Sequence, residues 1–151
     1  MKRLTSQLWL TGIFLLGLIL AEAAVVIAYV RGSIADADIE RLSTTLLKTY
    51  AVPLAVAIAA IFADGPRQSA ERAIGQAALR KMRLAAVLAA LWNLLLLWRT
   101  GVFLMRALDP ASENPNEVAQ LEHYIERVAE LSSFLIAAAL VWLFGERDKE
   151  R

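Results

Sequence analysis

The sequence predicts an all-α integral membrane protein, a bundle of four transmembrane helices with both termini on the cytoplasmic side. Hydrophobic residues make up 58% of the 151 positions, more than an ordinary soluble domain carries. They gather in four apolar runs, 8–30, 44–63, 84–105 and 131–145. A hydrocarbon core about 30 Å thick takes about 20 helical residues, which the first three runs supply outright. The fourth reaches that length when its helix is read from upstream, giving spans of about 8–30, 44–63, 84–105 and 129–145. Only helices and closed barrels satisfy their backbone in lipid, so strands are not expected. With no internal repeat, low-complexity tract or linker, residues 1–151 read as a single domain.

Orientation follows from the third observation, the sorting of charge. The net charge is only +1, yet ten basic residues fall at the N-terminus (Lys2, Arg3), in the second connection (Arg67, Arg72, Arg80, Lys81, Arg83) and in the tail (Arg147, Lys149, Arg151). The first and third connections hold four: Arg31, Arg41, Arg106 and Arg127. Because cytoplasmic loops collect Lys and Arg, both termini and the second connection are expected inside, in a cell (inner) membrane of bacterial type. The third connection carries Asp109, Glu113, Glu117, Glu122, Glu126 and Glu130 and forms an acidic outer rim.

The first span opens after Met1-Lys2-Arg3 and passes Ala21-Glu22-Ala23, which imitates a signal peptide. The chain continues apolar after Ala23, whereas a cleaved leader is normally followed by a polar start, so the segment is expected to stay as a helix. In the first connection Asp36 or Asp38 is placed to cap the second helix. Pro53 lies within the second span, where a missing N–H releases the carbonyl of Thr49 and a kink is expected. Small residues recur there at every fourth position: Ala51, Ala55, Ala59 and Ala63. Such a seam, like Gly17, Ala21, Ala24 and Ala28 in the first span and Ala85, Ala86, Ala89 and Ala90 in the third, lets helices approach closely, within one chain or between protomers.

Asp64-Gly65-Pro66 ends the second helix and starts the third. Residues 66–105 would then extend for about 60 Å, with about 25 Å beyond the bilayer. The basic cytoplasmic segment on this projection, Arg67, Arg72, Arg80, Lys81 and Arg83, suits anionic lipid head groups. Asn114-Pro115 initiates a turn and Asn116 is a helix N-cap. The fourth helix follows, projecting outside through QLEHYIERV, with Val118, Leu121, Ile125, Val128, Ser132 and Leu135 on one face. Trp9 and Trp142 fall at the cytoplasmic interface, while Trp92 and Trp98 lie deeper.

Inside the bilayer the polar inventory is Glu22, Lys48, Asn93 and Arg99. Glu22 lies about 12 Å below the outer end of its span and Arg99 about 9 Å below the end of its own, with Lys48 near 6 Å. A lone charge there costs at least about 2.5 kcal/mol, so these groups are expected to meet one another or water. A structural Glu22–Arg99 bridge, with Lys48 as a third member, competes with a gated path built on the same residues.

Ile19 to Glu22 reads ILAE, which resembles the first helix of the small multidrug resistance transporters, four-span chains with a glutamate in that helix. The resemblance covers four residues and implies proton and cation exchange at Glu22. Elsewhere the chain departs from that pattern, with long extramembrane segments, a strong charge bias and no counterpart of the family's Gly- and aromatic-rich third helix.

Catalytic templates are missing. There is no cysteine and one histidine, His123, placed on a charged exterior helix, so thiolate and paired-histidine metal sites cannot be built. No G-x-G-x-x-G, P-loop or Ser-His-acid set occurs. The expected function is therefore non-enzymatic, without metal or cofactor. The leading reading is an oligomeric scaffold or sensor subunit of a larger inner-membrane assembly for transport, respiration or defence. Its partners are the bilayer, its own copies or another membrane protein, and not nucleic acid. The alternative is an ion channel or proton-coupled small-cation transporter using Glu22, Lys48 and Arg99.

Overall fold

The computed structural model describes residues 3–64, 76–109 and 117–130, with side chains described over 8–59, 83–109 and 117–130 and at Phe62. All described elements are helical: α1 (Arg3–Val30), α2 (Asp36–Asp64), α3 (Gln76–Ala107) and α4 (117–130). Three of them are long and apolar enough to cross a membrane, over Leu8–Val30, Asp36–Ala59 and Arg83–Ala107. The first matches the expected run; the second begins eight residues sooner, because α2 starts at Asp36. Residues 66–75 of the expected third helix, the Asn116 cap and all of the fourth span beyond Glu130 lie outside the described residues.

α1 ends in a glycine turn that sets the direction of everything after it. Gly32 has φ 73°, Ser33 N donates to Ala28 O at 3.0 Å and Gly32 N donates to Tyr29 O at 2.8 Å. These are the paired bonds of a Schellman motif, which needs the left-handed conformation that glycine adopts without strain. α2 is then entered through Ala35, whose carbonyl accepts from Asp38 N and Ile39 N at 3.0 and 3.2 Å. The cap therefore sits one residue before the expected aspartates. Asp36 and Asp38 occupy the first turn instead, where their charge favours the positive end of the helix.

α1 is the central helix. It packs against both α2 and α3, whereas among the described residues the α2 and α3 backbones do not come within 8 Å, Cα to Cα. Its buried stripe, Leu10, Phe14, Gly17, Ala21, Val25 and Ala28, is small enough in its middle to lie between two neighbours. α3 answers with Ala85, Ala89, Trp92, Leu96 and Phe103. The small positions of α1 and α3 thus serve packing within the chain, although Ala90 is exposed.

α2 turns a bulkier stripe inward than its alanine seam. Its inward stripe is Leu42, Leu46, Tyr50, Pro53 and Ala57, while Ala51, Ala55 and Ala59 are exposed; the Ala63 side chain lies outside the described set. A single helix cannot turn both stripes inward, and the bulkier one has more area to remove from water or to fill the bundle. α2 remains helical through Pro53.

α4 lies beside the N-terminal half of α2 and the C-terminal half of α3. Leu121 and Ile125 are buried in the common core, with Val118 and Val128 at its edge. Arg106 approaches Glu117 at 4.0 Å and Arg99 stacks over the Tyr124 ring at 5.3 Å from its centre, so α4 runs antiparallel to α3. The helix expected to project in solvent is therefore docked over its described length, and His123 faces outward.

Candidate functional site

The four polar residues expected to form one cluster fall into three separate settings. Glu22 faces α2, where Ser43 Oγ donates to its Oε2 at 2.7 Å. Its Oε1 is buried and has no hydrogen-bond partner among the described residues. Arg99 lies on the α4 side, stacked on Tyr124 and bordering Phe103, Gln120 and Leu121. The expected Glu22–Arg99 bridge is not formed. Both residues sit eight positions before the C-terminal ends of their helices, but an equal distance along the axis fixes height and leaves azimuth open.

Asn93 belongs to a buried junction of three helices. Tyr50 Oη donates to Asn93 Oδ1 at 2.9 Å, and Asn93 Nδ2 donates to Ala89 O at 2.9 Å. Trp92 stands edge-on to both Phe14 and Tyr50, with ring centres 5.7 and 4.8 Å apart. Gly17 makes the space: a Cβ there would overlap Asn93 Oδ1 and come within 2.9 Å of the Tyr50 hydroxyl. Tyr50 and Trp92 thereby bridge α2 and α3, whose backbones stay apart.

Lys48 lines an open groove of about 680 Å³ between α2 and α4. One wall is Glu40, Arg41, Thr44, Thr45, Lys48 and Thr49; the other is Glu122, Glu126, Ala129 and Glu130. Arg41 spans it to Glu122, with Nε 2.8 Å from Glu122 Oε1 and Nη2 2.5 Å from Oε2, a two-point geometry that suits a guanidinium and a carboxylate. Glu122 is largely buried, whereas Glu126, Glu130 and Lys48 are exposed.

The sequence reading passed over this groove, although a signal for it exists. Glu122, Glu126 and Glu130 recur every fourth residue and Arg41, Thr44, Thr45 and Lys48 share one face of α2, so each wall is a helical stripe. Of the basic segment, Arg83 is exposed; the side chains of Arg80 and Lys81, and Arg67 and Arg72 entirely, lie outside the described residues. Among the described residues no group of three or more His, Cys, Asp or Glu side chains is arranged to hold a metal ion.

The chain matches no protein-family model, no curated protein and no solved structure. The functional reading therefore rests on the residues and their geometry.

Proposed function

We propose that this chain is a non-enzymatic membrane subunit that works by contact, an oligomeric scaffold or sensor within a larger inner-membrane assembly for transport, respiration or defence. The observation supporting this reading is the two-sidedness of the outward surface. α1 turns Leu15, Leu16, Ile19, Leu20, Val26 and Ile27 outward and α3 turns Leu91, Leu94, Leu95 and Trp98 outward, the side chains a helix shows to lipid. α2 turns Arg41, Thr44, Lys48, Ala51, Ala55 and Ala59 outward. Charges and hydroxyls at membrane depth are costly against acyl chains, and alanines gain little there. A protein neighbour accounts for both.

Light scattering of the purified protein in detergent tests the reading: the expected mass is a multiple of the 16.6 kDa chain, and a single-chain mass would remove its support. The proposed orientation, both termini cytoplasmic with 106–130 outside, rests on the ten-to-four distribution of basic residues. An alkaline phosphatase fused after Arg151 should be inactive and one fused after Asp109 active. Arg83 and the basic residues before it are proposed to meet anionic lipid.

A channel or proton-coupled cation transporter is the second reading, and the buried Glu22 Oε1, without a hydrogen-bond partner among the described residues, favours it. Glu22, Lys48 and Arg99 sit in three different settings, so a path using all three would have to be assembled by motion. Cation or proton flux in liposomes that disappears in Glu22→Gln would place this reading first.

A further inference from the structure

We infer that Arg99, stacked on Tyr124 at the seam of α3 and α4, binds the phosphate of an anionic phospholipid in the leaflet at the C-terminal end of α3. Arg99 places a guanidinium charge within the span-length stretch Arg83–Ala107, where a charge has to be met by an opposite charge, a polar group or water. Among the described residues it meets the Tyr124 ring, 5.3 Å from the centre, whereas Arg41 and Arg106 meet the carboxylates of Glu122 and Glu117. A ring covers the flat face of the guanidinium. Its five N–H donors lie along the edges and are still to be matched.

Water held inside the protein does not meet that demand. The cleft beside Arg99, floored by Phe103 and Leu121, has a volume of about 20 Å³, room for about one water, against about 680 Å³ in the groove where Lys48 lies. The bilayer side is what remains. Trp98 and Met105, the residues just before Arg99 and Arg106, are exposed, as are Leu94 and Leu95, so the Arg99–Arg106 stripe borders the lipid-type face of α3. The stretch Arg83–Ala107 has 25 residues, about 37 Å of helix, which exceeds a hydrocarbon core of about 30 Å. The surplus lets the Ala107 end stand among head groups, and a long side chain lifts its charge toward them. Arg106 and Glu117 line the same cleft and offset each other, which leaves the Arg99 charge for a phosphodiester monoanion. A guanidinium fork takes two phosphate oxygens at once, the recognition that suits arginine better than lysine.

Phosphatidylglycerol with a photoreactive head group tests this, cross-linked to the full chain in phosphatidylcholine vesicles and mapped by peptide mass. Wild type should be labelled over 98–106 and 117–124. Arg99→Gln should lower that label about tenfold or more, the size expected when hydrogen bonds to a charged group are lost. Arg99→Lys should lower it severalfold, because an ammonium keeps the charge and loses both the fork and the stacking. Tyr124→Leu, which removes the ring and leaves the guanidinium, should act in the same direction, so the test does not depend on one variant folding. Label near Arg83, at the other end of the span, should be unchanged in all three and serves as the internal control for insertion. Unlabelled phosphatidylglycerol should compete the label away, while diacylglycerol of the same chain length and inorganic phosphate should not.

Label over 98–106 at the wild-type level in both Arg99 variants, or equal competition by diacylglycerol, would overturn the assignment, since acyl chains alone would then hold the lipid there. Equal competition by inorganic phosphate would give Arg99 to a soluble anion instead of a lipid. Absence of label in the wild type, with the oligomer lost in Arg99→Gln, would give it to a neighbouring protein.

Discussion

Tyr50 donates its hydroxyl proton to Asn93 Oδ1 at 2.9 Å directly above Gly17, so one residue from each of three helices meets at a single buried point. Among the described residues α2 and α3 have no backbone approach within 8 Å, and this bond and the Tyr50–Trp92 ring contact join them across α1.

Gly17→Ala should therefore act at a distance from its own helix. The added methyl displaces Asn93, and overpacking of this kind costs about 1–3 kcal/mol. Asn93→Ala in the same chain should recover part of the loss by making room. Unfolding in detergent at graded denaturant measures both, and simple additivity would show that the methyl is absorbed elsewhere.

Tyr50→Phe keeps the ring contact with Trp92 and removes only the hydroxyl. Asn93 Oδ1 then loses its donor in a buried setting, for an expected destabilisation of about 1–2 kcal/mol. Retained stability in this variant would count against the junction as an organising contact.

The Glu22 contacts yield a pair of double-mutant cycles with opposite expectations. Glu22→Ala with Ser43→Ala should show coupling of about 1 kcal/mol, the net size of a typical hydrogen bond. Glu22→Gln with Arg99→Gln should be additive within about 0.5 kcal/mol, since the two side chains share no contact. The reverse order of couplings would restore the ion pair that depth alone suggested.

Arg41→Ala should loosen the docking of α4. Glu122 is 9% exposed and would lose its two-point partner, although the exposed guanidinium discounts the cost to about 1 kcal/mol. Hydrogen exchange over 117–130 is the sensitive readout, and protection equal to wild type would mean that Leu121 and Ile125 hold the helix unaided.

Gly32→Ala places a Cβ in the left-handed conformation that ends α1, at a cost of about 1–2 kcal/mol. No atom lies within 4 Å of the added carbon, so the loss would be purely conformational. Gly32→Asn should be milder than Gly32→Ala, because asparagine tolerates that region better. A thermal melt of the two side by side decides it.

What the sequence revealed and what it hid follow a physical line. Helix type, the three described spans and the packing roles of Gly17, Ala21 and Ala89 were readable, because length and the 3–4 spacing are properties of one helix. Relationships between helices were not. Ser43–Glu22 and Arg41–Glu122 join residues 21 and 81 positions apart, and nothing local states which azimuth each helix presents. The two stripes of α2 make the point: Ala51-Ala55-Ala59 and Leu42-Leu46-Tyr50 are equally regular, and only the neighbour decides which turns inward. Depth arithmetic set Glu22 and Arg99 at one height while α1 aims the first at α2 and α4 holds the second.

The separation in sequence of the two α1 contacts also orders biogenesis. A chain that enters the bilayer from its N-terminus brings Ser43 to Glu22 as soon as the α1–α2 hairpin forms, so the carboxylate meets its hydroxyl across the short turn between Val30 and Asp36. The Tyr50 hydroxyl waits for a residue 43 positions later, and the hollow at Gly17 stays open until then. The hairpin thus gives Glu22 Oε2 its donor, whereas closure over Gly17 belongs to the moment α3 arrives.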